Sequence, residues 1–304
     1  MKHKFKDLQF LLEYIFFCGF VCVLKLLSVD RATHFCGFIA TRFAPLTNLH
    51  RRAFRNLRAA FPDWSDDQLK RVVEKMWYHT GRTIAETILM HSIFKDSDRF
   101  EIRNSELIEA ALKVSGPIIF VTFHLGNWEI FGFVCQRFKR NLAGVYRPIR
   151  NPYINKFLFA QRLPLYKAGL FFKKRKLQTS FILNSAAIAV MKVLRNGDVL
   201  GLVCDRSDTD MNFTVPFFGL NAKFTSAPAI LAGYFNAPIW IARCYRSSDN
   251  AKFIIEAEEL SVQPAKDRDE QIYNVTSSMA KKFEEWIRET PEQWMWWQRR
   301  KIAE

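Results

Sequence analysis

An α/β fold, with a mixed, mostly parallel central sheet flanked by helices and an apolar anchoring helix near the N-terminus, is what this sequence predicts. Short apolar runs of strand length alternate with helical patterns through the middle of the chain, the signature of a sheet covered on both faces. The first run, Leu8 to Leu27, is long and nearly unbroken instead. At 304 residues, 49% hydrophobic and 25% charged, the chain suffices for one large domain besides. The expected division is an anchor over 1–30 and a catalytic-sized domain over 31–304.

The anchor run, "LQFLLEYIFFCGFVCVLKLL", reaches the roughly 20 residues needed to cross a bilayer, with Glu13 and Lys25 inside it. Lys25 can snorkel to an interface, whereas a carboxylate in hydrocarbon is costly. No small-residue cleavage site follows, so the run is expected to be retained rather than removed as a signal peptide. Lys2, Lys4 and Lys6 precede it and Arg31, Arg42, Arg51, Arg52 and Arg55 follow it, so basic residues give no orientation. A spanning helix and one lying in the interface both fit, with a buried amphipathic helix as the third reading.

Next, "HRRAFRNLRAAFPDWSDDQLKRVVEKMWYHTGRTIAETILM" is helical in pattern, broken at Pro62, with Ser65 placed to cap the second helix. Four compact apolar runs then read as buried strands: "GPIIFVTF", "LAGVYRP", "DVLGLVCD" and "APIWIARCYR". Helices are expected between them over 127–139, 151–163, 183–195 and 226–235, the third closed by Asn196-Gly197. "AKFIIEAEEL" adds a later strand, and a helix from Asp267 to Glu289 precedes "PEQWMWWQRRK".

A formal charge of +15 calls for an acidic partner: nucleic acid, an anionic bilayer, a phosphorylated substrate or an acidic carrier protein. No zinc-finger, helix-turn-helix or aromatic RNA-binding signature is found, so nucleic acid is not expected. The six cysteines form no C-x-x-C pair and most sit among apolar neighbours, as reduced thiols in or facing the cytoplasm do.

The chemistry concentrates in "IIFVTFHLGNWEIFGF". If "IIFVTF" is a parallel strand, His124 falls at its carboxyl end, the edge of an α/β sheet where ligands bind. Glu129 lies one turn into the next helix, and Gly126-Asn127 permits a tight connection that brings the two together. A carboxylate beside imidazole holds its tautomer and stabilises the imidazolium formed when it takes a proton. A strand-end histidine followed by a glutamate at a helix N-terminus is the ordinary alternative.

Four stretches together, "HLGNWE", "YRPIRNPYINKFLFAQR", "DVLGLVCDRSDTDMNFTVPFFGLNAKFTSAPAILAGYFNAPIWIA" and "PEQWMWWQRR", with "NLRAAFPDWSDDQ" before them, resemble the lipid A late acyltransferases. The resemblance covers nearly the whole chain. It implies a fold like that of the glycerol-phosphate acyltransferases and an H-x-x-x-x-[D/E] dyad, His124 as base with Glu129 as its partner. It implies transfer of a fatty acyl chain from a thioester, on acyl carrier protein or coenzyme A, to a hydroxyl of a lipid A precursor in lipopolysaccharide biosynthesis. No cofactor or metal is called for beyond that co-substrate. The expected setting is the inner membrane, among anionic lipids, with the catalytic domain facing the cytoplasm.

Arg147 and Arg162 match the family's "YRP…NP…R" segment and become candidates for gripping phosphate, of lipid A or of the pantetheine arm. For Arg147 a surface ion pair is the alternative. Asp205 stands where the family carries Asp-Gln, here followed by Arg206; it orients substrate or caps the strand end. Asn127 joins these as a substrate-binding candidate. "VPFFG" is expected to bring Phe217 and Phe218 beside the cleft, or else into the core, and Thr225 or Ser226 to cap the next helix. No G-x-S-x-G elbow argues for a serine intermediate. Two other readings remain: an acyltransferase of another glycolipid such as phosphatidylinositol mannoside, and an inactive basic membrane-binding protein.

Overall fold

The helical part of the chain is built first. The computed structural model describes residues 2–172, 185–206 and 212–298. Helix α1 spans Lys2–Leu26, α2 Val29–Phe43, α3 Asn48–Ala60, α4 Asp66–Ile88 and α5 Met90–Ile93. Pro62 lies in the break between α3 and α4, as expected, and α4 starts at a reciprocal capping box. Gln68 N–H donates to the Ser65 hydroxyl (3.3 Å) while Ser65 N–H donates to Gln68 Oε1 (2.8 Å).

Helix α1 carries an apolar stretch, Lys6–Leu26, long enough to cross a membrane by length and composition, of which 11% is buried. Leu8, Phe16 and Leu26 stand exposed along it, as do Phe38 and Leu46 beyond it. The awkward Glu13 is resolved by a neighbour: its carboxylate accepts from Gln9 (2.8 Å) and from Asn151 Nδ2 (2.9 Å). Tyr14 meets Tyr153 and Phe17 meets Phe157, ring centroids 5.6 and 5.2 Å apart.

The sheet follows. Its pieces are β1 Phe100–Ile102, α6 Ser105–Lys113, β2 Ile118–Thr122, α7 Phe131–Arg137, β3 Leu142–Tyr146, α8 Pro152–Arg162 and β4 Gly169–Phe172. Then come α9 Ser185–Arg195, β5 Val199–Val203, β6 Asn212–Phe217, β7 Leu220–Thr225, α10 Ala227–Phe235, β8 Ile239–Arg246, β9 Phe253–Glu259 and α11 Arg268–Glu289. Seven strands lie in the order β1-β9-β8-β2-β5-β3-β4, parallel at every contact but β8–β9. This is the mixed, mostly parallel sheet the apolar runs predicted. The strand β2 sits at its centre with all five residues buried, which explains why it reads as a continuous apolar run rather than an alternating one.

The expected helices and strands are in place, with the first residues of 183–195 and the Arg299-Arg300 end of "WWQRR" lying outside the described residues. Four features went unforeseen: α2, the short edge strands β1 and β4, helix α6, and the β6–β7 hairpin. The hairpin decides between the two readings of Phe217 and Phe218. Phe217 pairs with Leu220 across a two-residue turn in which Phe218 and Gly219 have φ of 53° and 71°. Both phenylalanines are buried and pack on Trp294, and Phe218 also on Phe61, so they belong to the core.

Candidate active site

Two strand ends meet at one point of the sheet edge. Strands β2 and β5 are parallel neighbours in the register Thr122↔Val203, and Cys204 N–H donates to the Thr122 carbonyl (2.8 Å). His124 lies two residues past Thr122 and Asp205 two residues past Val203. Equal offsets from a matched register bring them side by side although they are 81 residues apart in sequence.

The contact is short: His124 Nδ1 and Asp205 Oδ1 are 2.6 Å apart, and His124 N–H donates to Asp205 Oδ2 (3.2 Å). The imidazole keeps 16% side-chain exposure while the carboxylate has none. With Nδ1 occupied, Nε2 is the nitrogen left to meet a substrate. Trp128 packs edge-on against the ring, centroids 4.6 Å apart.

Glu129, the expected partner of His124, is held elsewhere. Its carboxylate accepts from Arg162 Nε (2.9 and 3.0 Å) and from the Nη2 of the same guanidinium (2.5 Å). Burial opposes the charge on Arg162, but the Glu129 carboxylate outweighs it and holds the guanidinium above its ordinary value. Glu129 lines the same cavity as His124, but the carboxylate that reaches Nδ1 belongs to Asp205. Asn127 is likewise repositioned. It is fully buried, its Oδ1 accepts from Glu129 N–H (3.2 Å) and its Nδ2 donates to Glu86 Oε2 (2.9 Å), so both ends of the amide are spent inside the protein.

The loop that carries these residues needs its glycine. Gly126 has φ 56°, and a Cβ there would run into the Cys244 carbonyl of β8. Gly126 N–H donates to the Gln293 carbonyl (2.8 Å), Asn127 N–H to that of Cys244 (3.0 Å), and the Gly126 carbonyl accepts from Thr83 Oγ1 (2.9 Å).

His124, Glu129, Arg147, Arg162 and Arg206 line a cavity of about 530 Å³. Much of the remaining lining is apolar, with Phe120, Leu142, Val190, Leu202 and Leu231, and Gly144 and Gly201 add no side chain to it. A volume in this range suits one ligand of moderate size. Tyr166, unforeseen, is part of the wall, and burial pushes its hydroxyl up from the ordinary range. Thr225 lines it too; its Oγ1 accepts from Ala227 N–H (3.3 Å), while Ser226 makes no side-chain cap.

A histidine paired with a carboxylate at the carboxyl edge of a mostly parallel sheet, beside a largely apolar cavity that three guanidiniums also line, is the arrangement of an α/β enzyme. Comparison with known families narrows the class. Residues 1–301 match the family described as bacterial lipid A biosynthesis acyltransferase; the chain belongs to that family and is an acyltransferase. No curated protein matches it.

Proposed function

We propose that this protein transfers a fatty acyl chain from an acyl thioester, carried by acyl carrier protein, to a hydroxyl of a lipid A precursor at the inner membrane. The observation that carries the reading is the His124–Asp205 pair, whose histidine lines a largely apolar cavity. Asp205 holds Nδ1 and stabilises the imidazolium, so His124 Nε2 accepts the proton of the acceptor hydroxyl as that oxygen attacks the thioester carbonyl. The tetrahedral intermediate collapses by breaking the C–S bond, and the imidazolium returns its proton to the departing sulfur.

Arg147, Arg162 and Arg206 line the cavity and bring positive charge to it that favours a phosphate, and its apolar lining takes the acyl chain. Glu129 serves as the partner that fixes Arg162 rather than as the histidine's carboxylate. Exposed Leu8, Phe16 and Leu26 on α1, with the net charge of +15, support attachment to an anionic bilayer on the cytoplasmic face.

Mass spectrometry of lipid A from cells lacking the protein, complemented by wild type or by His124→Ala, tests the reading. Wild type is expected to restore one acyl mass increment. The variant is expected to restore none while remaining in the membrane fraction after a high-salt wash. An increment restored by His124→Ala would overturn the assignment of the base.

A further inference from the structure

The segment that follows α11 returns to the active site from the other end of the chain. Pro291–Gln293 form a single 3₁₀ turn, after which Trp294 makes an isolated antiparallel bridge with Leu125 and Met295 N–H donates to the His124 carbonyl (3.1 Å). Together with the Gly126 N–H to Gln293 carbonyl bond, these contacts stitch residues 124–126 to residues 293–295.

One side-chain contact goes further. The indole Nε1–H of Trp294 donates to Asp205 Oδ2 at 2.9 Å. Trp294 has no exposure, and its ring is wedged against Phe217 and Trp296, with centroids 5.7 and 4.5 Å away. The ring therefore cannot turn its N–H elsewhere. Oδ2 receives the indole and the His124 backbone N–H, which leaves Oδ1 aimed at Nδ1.

Packing alone would be satisfied by any large aromatic ring at this place, so the N–H is the feature that calls for another explanation. We infer that Trp294 is a positioning residue of the acyl transfer, its indole N–H fixing the rotation of the Asp205 carboxylate so that one oxygen faces the His124 imidazole. This rests on the reading above, in which His124 is the base. Without the indole, the His124 backbone N–H at 3.2 Å is a longer hold on Oδ2 than the one removed, so the carboxylate gains rotational freedom about its Cβ–Cγ bond and aligns Oδ1 with Nδ1 less closely.

The test is a double-mutant cycle on the full-length protein in detergent, assayed with lauroyl and myristoyl thioesters of acyl carrier protein and a lipid A precursor. Trp294→Phe removes the donor and keeps a ring. It is expected to lower kcat about tenfold, as the loss of one hydrogen bond to a charged group does, with KM changed by less than about twofold. In an Asp205→Asn background the same substitution is expected to cause no further loss, because the carboxylate it acts through is gone. Benzothienylalanine incorporated at position 294 supplies a second variant, with indole shape but sulfur in place of N–H, should phenylalanine disturb folding. Its kcat is expected to fall as that of Trp294→Phe does.

Unchanged kcat in both Trp294 variants, with Asp205→Asn impaired, would overturn this inference and leave the His124–Asp205 pair standing. An equal loss from Trp294→Phe in the wild-type and Asp205→Asn backgrounds would assign the effect to general packing and overturn it as well. Full turnover by Asp205→Asn would overturn both the inference and the pairing beneath it.

Discussion

Two arginine–glutamate pairs flank the loop that follows β2, alike in chemistry and opposite in setting. Arg246 holds Glu86 through Nε (2.8 Å) and Nη2 (2.5 Å), and Arg162 holds Glu129 through the same two nitrogens. Side-chain exposure is 0% for both members of the first pair but 18% and 6% for Arg162 and Glu129. Surroundings follow exposure. Glu86 also accepts from Asn127, and Arg246 donates to Thr83 while its backbone pairs with the Gln293 side chain, so the dry pair ties α4, β8 and the 291–298 segment to the loop. The other pair opens on the cavity. Charge pairing alone therefore does not reveal a role; what each pair touches besides itself does.

The sharpest way to break this comparison is to halve each pair. Arg246→Ala leaves the Glu86 carboxylate buried without its counter-ion, at a cost of about 3–5 kcal/mol measured as a drop in denaturant midpoint. Replacing both members, with Glu86→Leu and Arg246→Met, is expected to recover part of that loss, since a buried ion pair contributes little net stability over apolar residues of similar size, the remainder being the Asn127 amide left without its acceptor. A double variant no more stable than Arg246→Ala would mean that the loop needs the pair itself. Arg162→Ala belongs at the other pole. It is expected to lower kcat/KM about a hundredfold while the midpoint falls by less than it does for Arg246→Ala, because Glu129 faces the cavity and can be solvated there. Should Arg162→Ala instead destabilise as much as Arg246→Ala, the two pairs would be doing the same job.

The same contrast explains what could be read from the sequence. The strands were legible because β2, β5 and β8 are apolar enough to stand out, and His124 and Asp205 could each be placed at a strand's carboxyl end. Their partnership could not, because it depends on β5 lying beside β2, with the β2–β5 contact enclosed between strands β8 and β3. Sequence proximity favoured Glu129, five positions from His124, over Asp205, which only the sheet order brings near. Asn127 misled for a related reason: a polar residue in a catalytic-looking loop suggests substrate, but here it meets Glu86, a carboxylate placed by a helix 41 residues upstream. The edge strands β1 and β4 escaped because runs of three and four residues carry too little periodicity to register.

The dry pair can be sharpened further by pH, though the effect is the smallest of the three. His79 lies one turn before Thr83 on α4, and burial pushes its imidazole down to about 2, with Arg246, Arg82 and Lys75 adding their repulsion. The unfolded chain takes a proton on this residue near 6.5, while the folded protein refuses it until far lower pH. Below 6.5 the unfolded state thus binds more protons, so stability falls as pH drops, by at most about 1.4 kcal/mol per pH unit. Above 6.5 the residue is neutral in both states and contributes no slope. Between pH 7 and pH 5 the loss comes to about 2 kcal/mol, which urea melts of wild type against His79→Gln can isolate from the carboxylates common to both. A variant whose stability declines as steeply as wild type over that interval would show that this imidazole takes its proton in the fold, and that the region around Arg246 is wetter than its side-chain burial implies.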